Sequence, residues 1–221
     1  MLPQLPTLLL GLGMAATATA VELHQDGPFA LRIKGQASNS SIDGYLHTVD
    51  VGPILVQKPI QYEPLSSPPV GNASYEFYFN YTGSSQSEGA EVGFFLTDPT
   101  VESAAGSGFY GRAMSLQFSA ASNVAFALVG AGAATPTGFG NDNKTFVNLY
   151  FDDSTFVPQE PPRLDQSFDF YNWAVCWQFF GRVYIPALSW VTYGPTHNPT
   201  CERVDLIKVA LQVSEPGTYV S

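Results

Sequence analysis

The chain has 221 residues, a formal net charge of −10 and a pI near 4.5. So acidic a chain offers no basic face to nucleic acid or to an anionic membrane. Charged residues reach only 13% and aromatics 14%, beside 20 Gly and 17 Pro. This is the composition of a turn-rich β protein and not of a helical one.

Residues 1–20 hold an apolar run and close on the small residues Ala18-Thr19-Ala20, the pattern of a secretory signal. The run is shorter than the roughly 20 apolar residues that cross a bilayer. Cleavage after Ala20 is expected to leave 21–221 as one mature domain, soluble and extracellular, with the cell wall as one destination. Short β-prone runs then recur over 29–33, 45–49, 54–57, 75–81, 92–96, 114–118, 124–129, 146–151, 168–179, 183–191 and 204–213. The segments 63–72 and 130–143 read as loops, and only 101–105 could form a helical turn. Ten or eleven strands in one domain predict an all-β two-sheet sandwich of jelly-roll type.

Residues 172–204 hold both cysteines and all three tryptophans. In an oxidising compartment, two cysteines imply one disulfide, Cys176–Cys201. In the entropy model a loop of that length stabilises by roughly 3.5 kcal/mol. Alternation puts Tyr171, Trp173, Val175, Trp177 and Phe179 on one face of the preceding strand and Ala174, Cys176 and Phe180 on the other. Both faces are apolar, so the strand is expected to be central, with a tight turn at Gly181-Arg182. Pro186 is expected to mark an edge or a bulge. Trp173 and Trp177 lie about 13 Å apart by strand rise, the span of a short run of sugar rings if that face were wet. Their apolar neighbours favour the core for both, together with Trp190.

Four acceptor triplets, at Asn39, Asn72, Asn80 and Asn143, predict a glycoprotein with these asparagines on exposed loops or edges.

Asn172-Trp-x-x-Cys176, Leu188-x-Trp190-Val191, Gly194, Asn198-Pro-x-Cys201 and Val204-Asp-Leu form a C-terminal signature. With Phe29-x-Leu-Arg, Ile42-Asp-Gly-Tyr-Leu46 and Ser122-Asn-Val-Ala125, it resembles an uncharacterised family of small secreted proteins of filamentous ascomycete fungi. The resemblance spans most of the mature chain. It implies an extracellular fungal β protein and carries over no catalytic residue.

Catalytic motifs are sparse. There is no Gly-x-Ser-x-Gly elbow. His24, His47 and His197 are too scattered for a triad or a zinc site, and His24 is not at the mature terminus, so a copper brace is not expected. The carboxylates Glu88/Glu91, Asp152/Asp153 and Asp165/Asp169 lack the alternate spacing that puts two acids on one sheet face, and read as solvated turns or strand ends. Asp152-Asp153 could help hold calcium, but the spacing lacks the dense acidic pattern of calcium loops. No cofactor and no metal are expected.

The leading expectation is a non-catalytic, monomeric extracellular protein whose partners are cell-wall or host glycans. Loop tyrosines, Tyr62, Tyr110 or Tyr193, would stack on sugar rings. The rival is a glycan-active hydrolase or lyase with a carboxylate pair hidden from sequence spacing, distinguished by two acids about 5 to 9.5 Å apart in a groove.

Overall fold

The computed structural model describes residues 22–52, 57–102, 110–130, 132–150, 152–161 and 166–211. The expected export signal and the β-prone run 54–57 lie outside these, apart from Gln57. Thirteen strands follow in order: β1 (His24–Gly35), β2 (Asp43–Thr48), β3 (Lys58–Glu63), β4 (Phe77–Ser87), β5 (Ala90–Glu102), β6 (Tyr110–Gln117), β7 (Val124–Val129), β8 (Thr137–Phe139), β9 (Thr145–Leu149), β10 (Phe168–Phe170), β11 (Trp173–Phe180), β12 (Val183–Val191) and β13 (Glu202–Ala210). Two single 3-10 turns, Ala73–Tyr75 and Asp153–Thr155, are the only helical elements among the described residues.

The two-sheet sandwich expected from strand count is wrong: the strands close into a nine-stranded barrel. The ring runs β1, β13, β11, β12, β3, β7, β6, β5, β4 and back to β1, with β2 bridging β1 and β3. Closure depends on long strands that change partners, which composition and alternation do not encode. β1 pairs β4 through His24–Phe29 and β2 through Arg32–Lys34, and β13 lies along its other edge. The bend between them is a register shift at Asp26/Phe29. There Gly27 takes φ +126°, and an added Cβ would lie 2.8 Å from the Phe77 carbonyl oxygen, so only glycine fits. β5 likewise pairs β4 on one edge and splits the other between β8 and β6.

The barrel is solid. Leu31, Ile33, Leu46, Ile60, Phe77, Phe95, Met114, Trp173 and Leu188 fill it, each at most 1% exposed. β8, β9 and β10 leave the ring at β5 and fold back over the barrel. Val147 and Phe139 join the core from this flap, the Trp173 indole N–H donates to the Thr145 carbonyl at 2.8 Å, and Lys144 pairs with Asp205 at 3.0 Å. β3 and β8 carry too few apolar residues to stand out in sequence. β8 falls inside the segment read as a loop, and the 101–102 end of the expected helical turn belongs to β5.

The Cys176–Cys201 disulfide is present. It fastens β11 to the start of β13 and packs with Val124, Ala174 and Val191. Trp173 through Cys176 are buried as expected of a central strand, but past that point Trp177 and Phe179 are exposed while Phe180 packs against Phe126. Pro186 opposes Trp177 in an unbroken register. The Trp177 N–H goes to Thr200 Oγ1, and its carbonyl accepts from Asn198 Nδ2. Both backbone groups of Trp177 therefore face away from β12, so the missing N–H of Pro186 costs the ladder nothing, and no bulge forms.

Candidate functional site

Trp173 and Trp190 meet edge to face in the core, with centroids 4.9 Å apart. Trp177, expected beside them, is 45% exposed and lies against Tyr184 on the open face of the β11–β12 hairpin, which also carries the exposed Phe179. The expected loop tyrosines are not brought together. Tyr62 is half-buried against the core, and its hydroxyl bonds to the Asp43 backbone. Tyr193 is exposed on the loop after β12. Tyr110 begins β6, and its side chain lies outside the described residues.

That loop is held from below by Asn123, 5% exposed, which donates to the Tyr193 and Pro195 carbonyls and accepts from the His197 N–H. Asn198 accepts from the Thr200 N–H and hydroxyl. The quoted signature residues thus build one corner of the fold.

Asn39, Asn72 and Asn143 are exposed. Asn80 is not: it is 1% exposed on β4, and its Oδ1 accepts from Gln25 Nε2 at 2.9 Å. The expectation that all four asparagines lie on exposed loops or edges fails there. Asp152 caps a 3-10 turn by accepting from the Ser154 N–H. No group of three metal-ligating side chains occurs among the described residues. His24 stacks on Tyr81. His47 stacks on Tyr75, and its Nε2 lies 3.7 Å from Glu63, which also accepts from the Tyr75 hydroxyl. Burial holds the His47 imidazole below its ordinary value, only partly offset by Glu63.

A groove of about 370 Å³ opens where the flap leaves the ring, between the β4–β5 hairpin and β8–β10. Its wall carries the amides of Asn80, Gln86, Asn148 and Gln166 and the hydroxyls of Ser84, Ser85 and Ser167. Among the described residues, no charged one lines it. Tyr81 lies at its base, stacked between Phe79 and His24, and Tyr150, 62% exposed, stands at its mouth. β4 and β5 meet closely beneath it because Gly93 has no side chain: an added Cβ would fall 2.2 Å from the Asn80 carbonyl oxygen. Asn148, 6% exposed, donates to Asp169 at 2.8 Å, and Gln86 donates to Glu91 at 2.9 Å. Among the described residues, Asn80 Nδ2, Asn148 Oδ1 and Gln86 Oε1 have no hydrogen-bond partner. Asn80 and Asn148 are buried residues and Gln86 is an exposed one, and their unpartnered atoms give the groove capacity for a polar ligand. Apart from the acceptor triplet at Asn80, no motif marked these residues: Ser84–Gln86 and Gln166–Ser167 look like ordinary turn residues in sequence.

A second groove, of about 420 Å³, brings Asp50, Glu76 and Asp98 together with Lys58, Arg112 and Tyr78. Asp98 takes φ +54° within a register shift of β5. None of the carboxylate pairs noted in sequence contributes to it.

The fold and the groove define a closed, solid β-barrel with a polar, amide-lined cleft on its side. Residues 26–210 match the family described as a domain of unknown function, DUF7907, and the chain belongs to that family. No curated protein and no solved structure matches it.

Proposed function

We propose that the protein is a secreted, non-catalytic, monomeric glycan-binding protein of a fungal cell surface, and that the amide-lined groove is its binding site. One observation carries the reading: amides with free hydrogen-bonding atoms, two of them on buried asparagines, line a groove that has no charged residue among the described ones and opens beside the exposed ring of Tyr150. Sugars present hydroxyls that satisfy such amides, and their C–H faces stack on aromatic rings. Export is supported by the pattern of residues 1–20, by the disulfide and by three exposed acceptor asparagines.

Titration calorimetry with chitin, glucan and mannan trimers tests the binding. Saturable heat with at least one trimer is expected, and none with any would count against the reading. Peptide mass spectrometry of the secreted chain tests the address. Glycan is expected on at least two of Asn39, Asn72 and Asn143 and not on buried Asn80; a chain bare at all four would contradict it.

The acids gathered in the second groove favour a second reading, a glycan-cleaving enzyme. New reducing ends released from the same trimers, and abolished by Glu76→Gln or Asp98→Asn, would replace binding with hydrolysis.

A further inference from the structure

The groove's amides are not free to choose which atom they present. An ionised carboxylate only accepts hydrogen bonds. Asn148 must therefore turn its Nδ2 toward Asp169, leaving Oδ1 to the groove, and Gln86 must turn its Nε2 toward Glu91, leaving Oε1. The groove thus has one held acceptor on the buried Asn148 and a second on the exposed Gln86, each backed by a carboxylate that lies outside the lining. Glu91 adds a second oxygen, Oε2, that is buried without a partner among the described residues. Among the described residues no Lys or Arg lines the groove, and the chain is acidic as a whole, so the field there favours positive charge.

From this we infer that the groove selects donor-rich sugars and, among them, sugars bearing a free ammonium group, with Asp169 and Glu91 as positioning residues that set its polarity. The inference rests on the glycan-binding reading and adds the ligand's chemical class. An ammonium donates three hydrogen bonds and accepts none, which suits two anchored carbonyl oxygens with negative charge behind them. A neutral acetamido sugar keeps its hydroxyl donors but loses that charge. A uronate sugar brings an acceptor-only anion against acceptors and is rejected, since leaving such groups unpaired costs more than the lost bond itself.

The test is calorimetry of the intact secreted protein, in mildly acid buffer at low and high salt, with three probes: glucosamine trimer, N-acetylglucosamine trimer and galacturonic acid trimer. Glucosamine trimer is expected to bind tightest and to weaken with salt, N-acetylglucosamine trimer to bind about tenfold more weakly with little salt response, and galacturonic acid trimer not at all. Asp169→Asn removes the charge and frees the Asn148 amide to turn over. It should cut the preference for glucosamine over N-acetylglucosamine by about tenfold while leaving the melting temperature within a few degrees. Glu91→Gln serves as the second variant should Asp169→Asn fold poorly. Binding of all three trimers with equal affinity, or a preference unchanged in both variants, would overturn the inference while leaving glycan binding intact. Absence of binding by all three would overturn the inference, and silence with the glucan and mannan trimers as well would overturn the glycan-binding reading.

Discussion

The disulfide corner and the amide groove are built from similar polar residues put to opposite use. At the corner, Asn123 is 5% exposed and uses both of its side-chain donors and its carbonyl oxygen within the loop it holds. The Trp173 indole, the Trp177 backbone and the Asn198 side chain are likewise partnered. In the groove, Asn148 is as deeply buried, yet its Oδ1 accepts no hydrogen bond from a described residue. A saturated buried network fixes a fold, whereas an unsaturated one beside a cavity is available to a ligand. The contrast explains how the most distinctive stretch of sequence carries structure while the candidate site lies among unremarkable serines and amides.

The largest expected effect falls at the corner. Cys176→Ala should lower stability by about 2–5 kcal/mol and reduce secretion, read by urea unfolding and by the yield of secreted protein; an unchanged midpoint would separate the disulfide from the fold. Asn123→Ala should cost about 1–3 kcal/mol, because the Tyr193 and Pro195 carbonyls and the His197 N–H lose their partner together, and sugar affinity should not change. A shift in affinity would mean that the corner reaches the groove.

The barrel wall has a pH response of its own. The folded-state pKa of His47 is lowered from 6.5, chiefly by burial. Its neutral form is therefore favoured in the fold, and the contribution to stability is present above pH 6.5 and lost as the pH falls through the folded value. Melting temperatures between pH 7.5 and 5 should fall, and His47→Gln should flatten that slope; an equal slope in the variant would assign the response elsewhere. The smallest stability effect belongs to the groove. Gln86→Ala at an exposed position should stay within about 0.5 kcal/mol of the parent while weakening sugar binding. A large loss of stability would mean that the groove amides are part of the scaffold.

Much of the strand pattern was legible because alternation and β-branched or aromatic runs reflect burial directly. The run 124–129 coincides with β7 and 183–191 with β12. Barrel closure was not legible, because it depends on the bend at Gly27 and on β5 dividing its edge between β6 and β8, and alternation is the same in a sandwich and a barrel. Trp177 illustrates the limit from another side. Its neighbours are apolar enough to suggest a core, but the hairpin extends past the last pairing of β11 with β13 and leaves it in solvent. Asn80 carried a sequence signal for the wrong property: its triplet marks glycan attachment, while its place on β4 puts it at the groove. Asn148 carried none, because a lone asparagine in a short strand differs from any other until Asp169 is placed behind it.

Backbone amide chemical-shift mapping with glucosamine trimer tests the contrast between corner and groove most directly. The account predicts shifts confined to Asn80–Gln86, Val92–Phe94, Asn148–Tyr150 and Gln166–Ser167, with the Asn123 and Asn198 loops silent. Shifts centred on Trp177, Phe179 and Tyr184, or on Asp50, Glu76 and Asp98, with the groove unmoved, would contradict it.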